Sequence, residues 1–318
     1  MHRTVFLLTA LLGIHCTDGN DNVAPDQGST PYPDLSMPSA QPCRADAWCR
    51  VSTPSQSTLY AVWGADASNI WAVGASGTVL KWNGSAWSAQ QSGTTQDLRS
   101  VWGTDANNVW AVGRSGTVLK WSGSSWSAQQ SGTPNSLQGV WGTAANSVWA
   151  VGLNGTILKW NGTAWAVQPS GTMETLYSVA GTDASSVWVV GLSGTILYWN
   201  GGAWAVQPSG TSKFLLSVWG TAGGSAWAVG EGGQILRRGM SSWAAQQSGT
   251  TSGLAGIWGA DANNVWAVGD RGTIRKWDGA MWTEQPTDIP QDLFAVWGSA
   301  PGNLWAVGGS GVVLHKAQ

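Results

Sequence analysis

Twenty-five tryptophans fall into four series that share one spacing of 39 residues. The first series is Trp63, Trp102, Trp141, Trp219, Trp258 and Trp297, each followed by glycine, with Ala180 in the one remaining slot. The second is unbroken: Trp71, Trp110, Trp149, Trp188, Trp227, Trp266 and Trp305. The third runs Trp82, Trp121, Trp160, Trp199 and Trp277, with Arg238 taking one slot. The fourth is Trp48, Trp87, Trp126, Trp165, Trp204, Trp243 and Trp282. A period near forty residues marks a solenoid or propeller array, in which each unit buries its faces only against its neighbours. The spacing gives seven units.

Each unit reads as four short strands. In the second unit these are Leu98–Gly103, Asn108–Gly113, Thr117–Trp121 and Ser125–Gln129, separated by Asp105-Ala106-Asn107, Gly113-Arg114-Ser115-Gly116 and Ser122-Gly123. The third turn is Asn-Gly in three units (Asn83-Gly84, Asn161-Gly162, Asn200-Gly201) and Asp278-Gly279 in another. Both dipeptides suit a two-residue hairpin with positive φ at its centre. Four strands of about five residues joined by hairpins make one blade of a propeller. No helical periodicity competes. The expectation is an all-β, seven-bladed β-propeller of four-stranded antiparallel blades.

The phase of the repeat says how the ring closes. The chain ends at Gln318, after the third strand of the last unit, while Trp48 precedes Trp63 by the interval that separates Trp87 from Trp102. The segment around Ala47–Val51 should therefore pair with the last blade as its outer strand. Such pairing also covers an edge that would otherwise template aggregation.

Blade sheets are packed on both faces, so their strands call for large, flat, β-favouring side chains. The tryptophans are read as that frame rather than as ligand platforms. The exception at Ala180 coincides with Val189, where the other units carry alanine. Across a short hairpin the valine could fill part of the missing indole's space.

Charged residues make up only 10% of the chain and the net charge is −2, which excludes a nucleic-acid or anionic-membrane surface. At the N-terminus His2-Arg3 precedes an apolar run, Thr4–Ile14, too short to span a bilayer but suited to a signal peptide. Cys16 follows, which resembles a bacterial lipoprotein signal in which that cysteine carries the lipid. The other reading is plain secretion with cleavage nearby. The resulting organisation is a signal segment over 1–16, a polar tether over 17–42 and the propeller over 43–318. An exported or cell-surface monomer is expected, touching the membrane only through a lipid anchor. Cys43 and Cys49 are the only other cysteines, and in an exported protein they are expected to pair as a local clip on the closing segment.

The inventory for chemistry is thin. The histidines are His2, His15 and His315, no His/Cys cluster offers a metal site, and no cofactor is expected. Asp97, Glu174, Glu231, Asp270 and Asp292 could in principle supply a carboxylate pair, but they are scattered over different units. Sialidase-type propellers carry Asp-box hairpins. Here Gly84-Ser85-Ala86-Trp87 keeps the glycine and terminal tryptophan of such a box, and Trp82 stands where its aspartate would be.

Units such as Val109-Trp110-Ala111-Val112-Gly113 followed by Gly116-Thr117-Val118-Leu119 resemble the tandem-repeat propellers of the BNR/Asp-box and photosystem II assembly factor type. Similar tryptophan-rich repeats occur in exported proteins of the myxobacterial type. The resemblance covers residues 44–318 and implies the propeller fold. It does not assign a function, because members of these families bind different things.

Near-identical units allow each position to be compared seven times within one chain. The first and third turns vary little. The second turn varies freely at its first position: Ala75, Arg114, Leu153, Leu192, Glu231, Asp270 and Gly309. So does the entry to the first strand: Tyr60, Arg99, Gln138, Tyr177, Leu216, Ala255 and Phe294. The connection before it also varies, as at Met173-Glu174 and Lys213-Phe214. In an up-and-down blade these three places lie at one end of the ring, so divergence is concentrated on one face. The candidate ligand-binding residues there are Tyr60, Arg99, Arg114, Tyr177, Phe214, Glu231, Asp270 and Phe294. Aromatics with sparse charge near a central mouth suit a glycan or protein ligand. The expected function is a non-catalytic binding module. The alternative is a carbohydrate-active enzyme of the glycoside hydrolase or lyase type, with acids from the same face.

Overall fold

The computed structural model describes residues 47–221, 224–239 and 242–317. The expected signal segment, tether, Cys16 and Cys43 lie outside them, and with Cys43 the pairing to Cys49. Seven antiparallel sheets of four strands follow one another around a ring. Blades 1 to 6 span residues 59–89, 98–128, 137–168, 176–206, 215–246 and 254–284, and blade 7 joins residues 293–317 to 49–50. Within blades 1 to 6 the strand order follows the chain, innermost to outermost, and in blade 7 the outermost strand comes from the N-terminal end. The closure is the one the repeat phase requires: Cys49 pairs with His315 and Arg50 with Leu314, and Val51 N–H donates to Val313 O at 2.9 Å. Trp48 packs into the core of blades 6 and 7, filling its slot in the fourth series.

The tryptophans build the seams between blades. At the first seam Trp71 of blade 1, fully buried, meets Trp121 and Trp126 of blade 2 at ring-centroid distances of 4.8 and 5.2 Å. The second contact is edge-to-face, an arrangement that aromatic quadrupoles favour. Four more seams repeat this triad, around Trp110, Trp149, Trp227 and Trp305. A cation caps most of the central rings, as where Lys81 Nζ lies 5.0 Å from Trp71 and 5.3 Å from Trp121. The first-series indoles serve a different contact. A β-carbon at Gly103 would lie 2.8 Å from the Trp63 ring, and Gly142 and Gly259 are likewise covered by Trp102 and Trp219. That is why each of these tryptophans precedes a glycine: the indole of the preceding blade lies against that backbone and leaves no room for a side chain.

Two local expectations are corrected. Ala180 is paired with Trp188, and Val189 with Val179, so alternation places Val189 on the opposite face of the blade from the missing indole. Trp188 itself moves over Gly220, where the absent tryptophan would sit, with Tyr198 at 5.3 Å and the Arg238 guanidinium at 5.8 Å from its ring. The third turns are four-residue loops rather than two-residue hairpins, because the strands pair at Trp82 and Trp87. Asn83 begins the loop, and its side-chain oxygen accepts the Ser85 and Ala86 N–H groups at 3.0 and 2.9 Å, while Gly84 supplies the positive φ of 96°. This Asx cap adds to the backbone bond that Asn83 N–H donates to Ala86 O at 3.3 Å.

Candidate functional site

Every innermost strand carries an irregularity at the same place. Leu59 pairs with Gly74 and Ala61 with Val73, leaving Tyr60 as an extra residue, and the same bulge recurs at Arg99, Gln138, Tyr177, Leu216, Ala255 and Phe294. A bulge re-aims its unpaired side chain out of the sheet. All seven of these side chains line the central channel, whose volume is about 140 Å³. The positions that vary from unit to unit are thus the ones the bulges turn toward the axis. Below them lies a tier of small residues, Ala61, Ser100, Gly139, Ser178, Ser217, Gly256 and Ala295. Three of its serines knit adjacent blades, accepting the N–H groups of Val140, Val218 and Ile257 at 3.2, 3.2 and 3.3 Å.

Blades 7, 1 and 2 form a continuous row at the mouth. Phe294 lies 5.8 Å from Tyr60, ring to ring, and the Arg99 guanidinium sits 4.1 Å from the Tyr60 ring centre. Arg99 reaches Asp97 at 3.0 Å, and Arg114 reaches the same carboxylate oxygen at 3.0 Å. The other oxygen of Asp97 accepts Ser76 N–H at 3.0 Å. That bond matters locally, because Ser76 is held at φ 52°, a left-handed conformation costly for a side-chain-bearing residue. Asp292 does the same for Arg271 at 2.8 Å. Two arginines against one carboxylate leave blade 2 with a net positive charge.

The remaining candidates are spread out. Tyr177 lines the channel on blade 4, and burial, with the Glu174 charge adding to it, pushes its phenol up to about 12. Phe214 and Glu231 lie together on blade 5, the Glu231 carboxylate 3.5 Å from Phe214 N. Asp270 accepts Gly253 N–H at 2.9 Å. Burial pushes its carboxyl up, that bond opposes the shift and the charge of Asp292 reinforces it. Neither Phe214, Glu231 nor Asp270 lines the channel, and nor does Arg114. The channel lining contains no carboxylate at all. Of the acids weighed as a catalytic pair, Asp97 and Asp292 cap turns, Asp97 also pairs with two arginines, and Glu231 and Asp270 accept backbone N–H groups. The candidate list omitted Gln138, Leu216, Ala255 and the small tier. A seven-fold series of only Ala, Ser and Gly one residue after Tyr60 was the available signal.

Fold and site together define a class: a seven-bladed β-propeller with a divergent, aromatic and charged rim around a narrow channel. Solved structures agree on the fold. YCF48 bound to a D1 peptide superposes with a TM-score of 0.73 at 20% identity, covering 88% of this chain and 100% of that one. YCF48 from Cyanidioschyzon merolae gives 0.71 at 19% identity, covering 85% and 99%. The WD40 repeats of RRP9 give 0.70 at 12% identity, covering 86% and 99%. No family model and no curated protein matches the sequence.

Proposed function

We propose that this chain is a non-catalytic binding module that holds a segment of a partner protein across the divergent end of the propeller. The observation that carries this reading is the Phe294–Tyr60–Arg99 row, set at the channel mouth by three successive bulges. Aromatic and arginine side chains held rigid in this way are the residue types that dominate protein-binding hot spots. Arg99 covers a face of Tyr60 that a stacked sugar ring would need, which favours a protein segment over a glycan. The second-turn positions around the mouth run from Arg114 on blade 2 through Leu153 and Leu192 on blades 3 and 4 to Glu231 and Asp270 on blades 5 and 6, with Lys213 and Arg271 beside the two acids. YCF48 bound to a D1 peptide is a propeller of this fold with a peptide ligand, which supports the same use here. The leader read in the sequence supports an exported protein, tethered through Cys16 or secreted.

The test compares wild type with a Tyr60→Ala/Arg99→Ala/Phe294→Ala variant in a co-purification screen and on a glycan array. Loss of a hot spot is worth about 2 kcal/mol or more, so partner affinity should fall more than about tenfold while the melting transition persists. Identical binding profiles would overturn the site, and selective glycan binding would overturn the protein-partner reading.

A further inference from the structure

Four asparagines in this chain precede glycine: Asn83, Asn154, Asn161 and Asn200. We propose that three of them, Asn83, Asn161 and Asn200, are sites of spontaneous deamidation, and that the fold protects the fourth. In this reaction the glycine backbone nitrogen attacks the asparagine side-chain carbon Cγ. A C–N bond forms, the bond from Cγ to Nδ2 breaks, and Nδ2 leaves as ammonia with the proton that the glycine nitrogen gives up. Water then opens the succinimide at either carbonyl, giving aspartate or isoaspartate. The step needs an available glycine N–H, a polarised side-chain carbonyl and an amide nitrogen free to depart.

The third-turn loops meet all three needs. The Asn161 side-chain oxygen accepts the N–H groups of Thr163 and Ala164, both at 3.0 Å, and Asn200 accepts those of Gly202 and Ala203 at the same distance. Two donors on one carbonyl oxygen draw charge toward it and stabilise the oxyanion that forms on attack. The N–H groups of Gly84, Gly162 and Gly201 have no hydrogen-bond partner among the described residues. Asn154 stands in a second turn and differs at each point. Its Gly155 N–H donates to Glu174 O at 2.9 Å, and its own amide nitrogen donates to Asn135 Oδ1 at 3.3 Å. Gly155 is also buried, while the other loops are exposed. Asn154-Gly155-Thr156 and Asn161-Gly162-Thr163 are the same tripeptide, so any difference between them belongs to the fold.

Blade 6 carries an encoded aspartate at the equivalent position. Asp278 begins the equivalent loop, with its oxygen accepting Ala280 and Met281 N–H at 2.9 Å each and Gly279 at φ 99°. The Met281 N–H, then that of Ala280, holds this carboxyl below its ordinary value, so the charged form fits the loop. Conversion to aspartate therefore keeps the cap, whereas isoaspartate lengthens the backbone and displaces it. Complete conversion takes the chain from a net charge of −2 to −5, all at the end away from the proposed binding face.

The test ages the full chain in mildly alkaline buffer, folded and in denaturant, and follows the amide-to-acid mass change peptide by peptide. Folded, the Asn154 peptide should convert roughly tenfold more slowly than the Asn161 peptide, the factor that one net hydrogen bond represents. In denaturant the two should match. Equal folded rates, or three loops that stay amide while the denatured chain converts, would overturn the assignment. An Asn83→Asp/Asn161→Asp/Asn200→Asp variant should melt as wild type does, and a large drop would overturn the claim that the loops accept the product.

Discussion

The seam between blades 1 and 2 and the seam between blades 4 and 5 solve one packing problem in two ways. At the first, Trp71 is enclosed by Trp121 and Trp126, capped by Lys81, and Trp63 covers Gly103. At the second, Ala180 replaces the indole over Gly220, Arg238 replaces the third-series tryptophan, and Tyr198 replaces the lysine. These three departures meet around one ring, Trp188, which shifts to cover Gly220 while Arg238 donates to Gly224 O at 2.9 Å. Two tryptophan slots are vacated there, at Ala180 and Arg238, and Trp188, Tyr198 and Arg238 fill the space together, as close-packed interiors require.

The largest effect is expected at the regular seam. Trp71→Ala removes a fully buried indole from a triad, and the expected loss is about 3–5 kcal/mol, read by denaturant titration. A loss below about 1 kcal/mol would mean the triads are not the frame. A smaller effect sharpens the other side. Ala180→Trp restores the period but meets the displaced Trp188, and overpacking of this kind costs about 1–3 kcal/mol. Adding Tyr198→Lys and Arg238→Trp should recover much of that cost, a non-additivity that reports shared contacts. Additive losses would show that the three departures are independent.

The smallest expected effect concerns the cation slot. On blade 7 the slot holds His315, stacked on Trp305 at 4.1 Å and lying opposite Cys49 of the closing strand. A lysine stem lets its charge reach water, whereas a half-buried imidazole cannot, and burial holds its pKa below the ordinary 6.5. The unfolded chain then binds more protons than the folded one as the pH falls below 6.5, so stability declines on that acid side and is whole above it. His315→Gln should flatten that slope in melting curves. An unchanged slope would remove His315 from the closure.

Legibility differed between frame and site for a physical reason. Trp48, Ala47–Val51 and the seven four-stranded blades could be read directly, because burial between sheets imposes one residue type at one interval. The divergent end was legible as variation at Tyr60, Arg99 and Phe294. What variation could not show was that Arg99 and Arg114 share Asp97, or that Phe214, Glu231 and Asp270 stay outside the channel. Those facts depend on which side chains meet once a unit has folded, and a repeat compared with itself reveals which positions vary and not what they touch. The misreadings at Val189 and Asn83 have the same origin: strand register decided both, and register is fixed by pairing rather than by dipeptide preference.

The number of blades, the phase of closure and the residues that pack between sheets are all written in the spacing of the chain, since a periodic hydrophobic demand leaves a periodic record. Folding alone fixed which side chains face the channel. Seven bulges, invisible in composition, turn Tyr60 and its counterparts out of their sheets and toward one axis. It likewise decided that identical Asn-Gly-Thr tripeptides meet different fates, because a hydrogen bond from Gly155 to Glu174 is made by folding and is written in neither residue.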